Sequence, residues 1–211
     1  MSSFELSATN VFKFASLMTP FLIGFFLVLT SIINQDLKGL IYLMGSMLAS
    51  IVNAFFMNLI KSPRSSDSSP FCNVFSFPFS NATNAEAHYD SPSMTSMFIS
   101  FTIAYLCLPM IYNAPQTINY ALISVLAILY VIDVFTQSSN KCNSIGASLL
   151  GTLVGFLLGA GWYGLIKSSG YDSLLYYSDF ISNNAVCKRP RKQYFKCDVY
   201  KNGTKLSSTS F

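Results

Sequence analysis

Five stretches of the chain stay apolar long enough to cross a bilayer, and polar breaks separate them. A spanning helix needs about 20 predominantly apolar residues, because each residue adds about 1.5 Å and the hydrocarbon core is about 30 Å thick. The pattern predicts spans at 11–33 (VFKFASLMTPFLIGFFLVLTSII), 40–60 (LIYLMGSMLASIVNAFFMNLI), near 93–112, 118–135 (INYALISVLAILYVIDVF) and 144–166 (SIGASLLGTLVGFLLGAGWYGLI). Lys13 snorkels from the first span, and Pro20 predicts a kink that a lipid-embedded helix tolerates. Short turns are expected at INQDLKG and at NAPQT, where Pro115 cannot continue a helix. Trp162 and Tyr163 fall where interfacial aromatic anchors belong.

Between the second and third spans the pattern dissolves into KSPRSSDSSPFCNVFSFPFSNATNAEAHYD, rich in Ser, Pro and Asn. This composition predicts a loop. Phe71, Phe75, Phe77 and Phe79 are too many aromatics for a free linker, so the 61–92 segment is expected to fold back on the bundle or lie in the membrane interface. After Ile166, SSGYDSLLYYSDFISNNAV predicts a short amphipathic helix and loop. KQYFKCDVYKNGTKLSSTSF then alternates apolar and polar residues around Asn202-Gly203, the favoured two-residue turn of a β-hairpin. The expected organisation is an N-terminal segment 1–10, a transmembrane bundle 11–166 carrying the 61–92 loop, and a basic tail 167–211 with a hairpin. There is no internal repeat.

Composition agrees with the pattern. Of 211 residues, 52% are hydrophobic and 10% charged, where soluble domains carry about 25% charged residues. The fold class expected is an all-α membrane protein, a five-helix transmembrane bundle with a small C-terminal β-hairpin. The first apolar run exceeds the roughly 7–15 residues of a signal-peptide core, so it is expected to remain as an anchor.

Five spans put the N-terminus, the 61–92 loop and the 136–143 loop at one end of the bundle, side A. The 34–39 and 113–117 turns and the tail lie at the other, side B. Side B carries Lys38 and the eight basic residues from Lys167 onward; side A carries Lys13, Lys61, Arg64 and Lys141. The positive-inside rule then favours a cytoplasmic side B, by a small margin because most tail charges lie far from the last span. Besides the bilayer itself, a basic tail fits anionic lipid, nucleic acid or an acidic protein surface such as a capsid. A solvated charged face is the plainer alternative.

The five cysteines are scattered, with no Cys-x-x-Cys or Cys/His cluster, so neither a metal site nor a cofactor is expected. Cys187 and Cys197 bracket the start of the tail and are a candidate disulfide, although a cytoplasmic side B would keep them reduced. Asn81-Ala-Thr83 and Asn202-Gly-Thr204 match the glycosylation pattern but fall on opposite sides, so at most one is modified. Gly151, Gly155 and Gly159 recur every four residues and are expected to pack helices within the bundle. Asn53, Asn58 and Asp133 are polar groups in or near spans. Asp133 lies near a span end, where pairing with Lys141 or Lys61 is expected.

The order of parts carries a resemblance. A span ends in Lys61 to Arg64, a loop follows, and Ser91-Pro-Ser-Met-Thr-Ser96 opens the next span. A helical hairpin then returns the chain to side A at TQSSNKCNS, before IGASLLGTLVG. Over about residues 40–166 this resembles the type-2 phosphatidic acid phosphatase superfamily. That family has a Lys…Arg-Pro segment, a Pro-Ser-Gly-His turn and a Ser-Arg…His…Asp segment before a glycine-rich helix. The resemblance implies a phosphate pocket built from Lys61, Arg64, Ser93, Thr95, Ser96, Gln137, Ser138, Ser139, Lys141 and Asn143.

The family's chemistry needs two histidines, one to attack phosphorus and one for the leaving-group proton. This chain has only His88. Thr95 stands at the turn's histidine position, Ser139 and Asn143 near the second histidine and the aspartate, and no arginine accompanies them. A hydroxyl nucleophile there would need an adjacent base, and Asp133 is the only acidic residue near that face. The bland reading of SPSMTS is a helix start capped by Ser91 or Ser93, with Pro92 in the first turn. Tails like KQYFKCDVYKNG on small multi-pass proteins also resemble membrane proteins of large double-stranded DNA viruses of eukaryotes, which implies a structural or assembly role in a virion internal membrane or the host endoplasmic reticulum. The expected function is therefore non-catalytic, with no catalytic residue. A lipid-phosphate phosphatase with altered residues and a small transporter are the alternatives.

Overall fold

The structure is a computed structural model and describes residues 8–64, 68–69, 72, 89–112, 118–177, 196–201 and 204–210. Five helices follow the apolar stretches: α1 Ala8–Ile33, α2 Lys38–Ile60, α3 Met94–Tyr112, α4 Tyr120–Ser139 and α5 Ile145–Ser168. α2 to α5 are each long and apolar enough to cross a membrane, so the chain is a multi-pass membrane protein. Phe26, Phe135 and Leu157 point outward, exposing apolar surface of the kind that lipid covers. α1 contains the shorter apolar stretch Met18–Ile33 among the described residues.

α3 is the central helix. Met97, Ile99, Phe101, Ala104, Tyr105 and Leu106 along it are all buried. α5 packs along α3 in parallel, and glycine makes the approach close enough. Gly151 lies against the backbone of Ser93, Gly155 against Met97 and Gly159 against Phe101, each pair one helical turn further on. A Cβ at Gly159 would sit 2.7 Å from the Phe101 carbonyl oxygen, and at Gly151 and Gly155 it would meet the Ser93 and Met97 carbonyl oxygens. Without a hydrophobic drive between helices in lipid, this backbone-to-backbone packing is what holds them. The Ser100 hydroxyl adds a bond to the Thr152 carbonyl at 2.8 Å.

α1 and α2 form a hairpin. Ser31 Oγ accepts the Gly39 N–H at 2.9 Å and donates to Asp36 Oδ1 at 2.6 Å. α2 meets α5 where Gly45 leaves room for the Trp162 indole, whose Nε1–H donates to the Ile41 carbonyl at 3.2 Å. Trp162 and Tyr163, expected as interfacial anchors, also pack within the bundle: Trp162 on Gly45, and Tyr163, which is buried, on Tyr112, the last residue of α3.

The described part of the segment after α5 is a single 3-10 turn, Asp172–Leu174, where an amphipathic helix was expected. It returns the chain to the bundle: Leu175 is fully buried and the Tyr176 hydroxyl donates to the Leu27 carbonyl at 3.0 Å. Burial raises the affinity of the Tyr176 and Tyr177 phenols for their protons. The first compact unit is Met1–Asp179. A second unit, Phe180–Phe211, holds two antiparallel strands, β1 Lys196–Lys201 and β2 Thr204–Ser210, with Lys196 opposite Ser210 and Lys201 opposite Thr204. Cys187, Asn81, Asn202, Gly203 and His88 lie outside the described residues, so the Cys187–Cys197 pairing and both sequons do as well.

Candidate functional site: a buried polar cluster

At the end of the bundle where α2 and α4 finish and α3 and α5 begin, Ser93, Ser96, Asp133 and Gln137 are among the polar side chains that are almost wholly buried. Local sequence places them. Pro92 has no N–H to donate and stays outside the helix, so α3 starts at Met94, and the first helical bond runs from the Met97 N–H to the Ser93 carbonyl at 3.1 Å. The Ser93 N–H is taken by the Ala147 carbonyl of α5 at 2.9 Å. The Ser93 hydroxyl turns toward Asn143, whose Nδ2 donates to it at 2.8 Å. This differs from the expected start, in which Pro92 occupied the first turn.

α4 also runs further than the apolar pattern implied, through Thr136, Gln137 and Ser138 to Ser139. Its polar last turns stay helical because Asp133 and Gln137 face inward to polar partners on α3, and the Asn140 amide holds the Thr136 carbonyl. Asp133 therefore does not reach the interface. It is 1% exposed, and its carboxylate accepts from Thr95 Oγ1 at 3.2 Å, Ser96 Oγ at 3.3 Å and Gln137 Nε2 at 3.5 Å. None of these partners is a lysine; Lys61 and Lys141 are exposed. The expected Asp–Lys pairing is corrected by geometry: the carboxylate points across to the hydroxyl-bearing first turn of α3.

The protons can be assigned by elimination. Thr95 has one hydroxyl proton and gives it to Asp133. In the 3.3 Å pair between Ser93 and Thr95, Ser93 must then be the donor. Gln137 Nε2 also donates to Thr95 Oγ1 at 3.3 Å, and Gln137 Oε1 accepts from Asn143 at 3.5 Å. Donation thus runs from Asn143 through Ser93 and Thr95 to Asp133, with Gln137 bridging both ends. Several of these bonds are long, and their strength lies in mutual polarisation where little water competes.

The other resemblance-derived positions stand apart. Ser139 is exposed and Ser138 half-buried. Lys61 ends α2 in a left-handed conformation. Arg64 lies beside Asp90: burial lowers the guanidinium's proton affinity and the Asp90 charge raises it. There the two ends of the long loop pair through Pro63 and Tyr89, and the Asp90 N–H donates to Ser62. Asn58 is exposed, whereas Asn53 is fully buried. Asn53 Nδ2 holds the Pro92 carbonyl at 3.2 Å, and its Oδ1 has no hydrogen-bond partner among the described residues.

Two features went unforeseen. A disulfide joins Cys72 to Cys142, tying the long loop to the α4–α5 connection beside Asn143; the Ser69 N–H bonds the Asn140 carbonyl next to it at 3.2 Å. The signal was present, since both cysteines fall in loops assigned to the same side. The other is an apolar cleft of about 390 Å³ between α1, α2 and α3, lined by Phe21, Phe25, Met47, Met94 and Phe98, with Thr95 in its wall. Among the described residues no group of His, Cys, Asp or Glu could hold a metal ion.

Comparison with protein families, curated proteins and solved structures gives no match for the chain. Function therefore rests on the site. Two hydroxyls touch the Asp133 carboxylate, those of Ser96 and Thr95; the Thr95 hydroxyl has its proton directed to Asp133 and its oxygen engaged by Ser93 and Gln137. In this arrangement the Thr95 oxygen lacks a free lone pair with which to attack an electrophile.

Proposed function

We propose that this is a non-catalytic integral membrane protein with a structural or assembly role, its polar cluster acting as a clasp between α3, α4 and the α4–α5 connection. The observation that supports this reading is the hydrogen-bond network across the helices: the Thr95 and Ser96 hydroxyls both donate to Asp133, and the Thr95 oxygen also accepts from Ser93 and Gln137. The basic residues from Lys188 to Lys205 supply a second surface, a small basic hairpin fitted to anionic lipid, nucleic acid or an acidic capsid protein. The resemblance to membrane proteins of large double-stranded DNA viruses directs this role to a virion internal membrane or the host membrane it derives from. Proteomics of purified particles tests that assignment, and absence from them argues against it.

The second reading, a lipid-phosphate phosphatase with altered residues, draws on the 3.2 Å Thr95–Asp133 contact. Purified full-length protein is to be assayed on phosphatidic acid and on p-nitrophenyl phosphate, with Lys61→Ala and Thr95→Ala in parallel. The clasp reading expects no turnover in any sample. Hydrolysis that disappears in Thr95→Ala would replace it with the enzyme.

A further inference from the structure

We propose that the end of the bundle carrying the polar cluster faces an oxidising, extracytosolic compartment, and that the chain leaves α5 on the cytosolic side. The inference goes beyond the clasp reading and does not depend on whether the cluster is catalytic.

Three observations fix which parts share an end. Ser93 at the start of α3 bonds Ala147 and Asn143 at the start of α5, so these helices run in parallel. Asp90, just before α3, bonds Ser62, just after α2. Cys72 of the long loop is bonded to Cys142 of the α4–α5 connection, across 70 residues of sequence. All therefore lie on one side, whether or not α1 crosses completely. α5, a candidate span, carries the chain from Ile145 to Ser168, which puts the residues after it on the other side.

Charge does not settle the orientation. Near the span ends, where the positive-inside rule counts, Lys13, Lys61, Arg64 and Lys141 stand at the cluster end against Lys38 and Lys167 at the other. Counted this close to the spans, four charges against two favour a cytosolic cluster end, whereas the whole-side count with the distant tail charges favours the opposite. The disulfide favours an extracytosolic cluster end and is the stronger constraint. The positive-inside rule is a bias on insertion, whereas a disulfide that joins two loops persists only where the surroundings are oxidising. The same orientation leaves Cys187 and Cys197 in a reducing compartment. It also makes Asn81-Ala-Thr83 the sequon on the glycosylating side.

The test uses the full chain with a C-terminal tag in a eukaryotic cell. After selective permeabilisation of the plasma membrane, added protease should remove the tag; a protected tag overturns the orientation. Denatured, unreduced protein should take up maleimide-polyethylene glycol on three of its five cysteines, and on all five after reduction. Five labels without reductant would overturn the bridge on which the inference rests. Cys72→Ser with Cys142→Ser should give three labels under both conditions; a single label without reductant would place the bridge among the other cysteines and overturn it too. A glycosidase-sensitive shift lost in Asn81→Gln supports the orientation, and one lost in Asn202→Gln overturns it.

Discussion

Replacing Gly155 by alanine is the sharpest probe of how the bundle is held. At this position a Cβ would meet the Met97 carbonyl oxygen and come within 3.0 Å of the Met97 Cα. The obstacle is backbone rather than a flexible side chain, so it yields only if α3 and α5 move apart. Overpacking typically costs about 1–3 kcal/mol, and backbone resistance places this case near the upper figure. Alanine's better helix propensity offsets at most about 1 kcal/mol. The net destabilisation is then about 2 kcal/mol, and at about 2–4 °C per kcal/mol for a chain of this size the midpoint should fall by about 4–8 °C. Gly161 and Gly164 on the same helix are the controls, since a Cβ there meets nothing within 4 Å. The fluorescence of Trp162, the single tryptophan, which lies against Gly45, reports unfolding in detergent. Gly155→Ala should lower the midpoint while Gly161→Ala and Gly164→Ala leave it unchanged or raise it. Equal behaviour of all three would refute close glycine packing between α3 and α5.

Three further substitutions follow from the hydrogen bonds and the bridge. Asp133→Ala leaves the Thr95, Ser96 and Gln137 donors without their acceptor; at about 1–3 kcal/mol for each orphaned group, even one costs a measurable drop in the same melt, and Asp133→Asn should fall between it and the parent. Trp162→Phe removes the bond to the Ile41 carbonyl and should cost about 1 kcal/mol, read by circular dichroism because the fluorophore is gone. Joint Cys72→Ser and Cys142→Ser substitution releases a 70-residue separation; the chain-entropy estimate is about 4 kcal/mol, and the loss should be matched by adding reductant to the parent protein.

The helices were legible because apolar run length is a property of composition, and the bilayer thickness fixes what length means. The helix ends were not. α4 continues four residues past the expected Phe135, where Gln137 finds a polar partner on α3 in Thr95, and no local pattern encodes a partner on another helix. Asp133 shows the same limit. From the chain alone it sat near a span end with lysines nearby, yet it is satisfied by two hydroxyls and an amide. Cys72 and Cys142 were separated by their sequence distance and brought together by the return of the α3–α4 hairpin. Among the positions suggested by resemblance, Ser93, Thr95, Ser96, Gln137 and Asn143 share one network, whereas Lys61, Ser139 and Lys141 are exposed. Order along the chain indicates which residues share an end of the bundle; it does not say which of them turn inward.

The packing and the polar cluster are one device, and Gly151 is where they join. It lies against the Ser93 backbone, the same residue whose N–H is held by Ala147 and whose hydroxyl meets Asn143. A methyl group at Gly151 would push the start of α3 away from α5 without removing a single polar atom. Ser93 and Thr95 would be displaced from Asn143 and Gln137, and the donors converging on Asp133 would lengthen beyond the 3.2–3.5 Å they span now. Gly151→Ala should therefore destabilise more than Gly159→Ala, since Gly159 lies two turns further from the cluster. It should also be non-additive with Asp133→Ala, because each variant disables the same contacts; neighbours that share partners show interaction energies of about 0.5–3 kcal/mol. A double-mutant cycle on the thermal midpoint reads this directly. Strict additivity of the two changes would mean that glycine packing and the polar circuit are independent, and that the cluster is held in place by α4 alone.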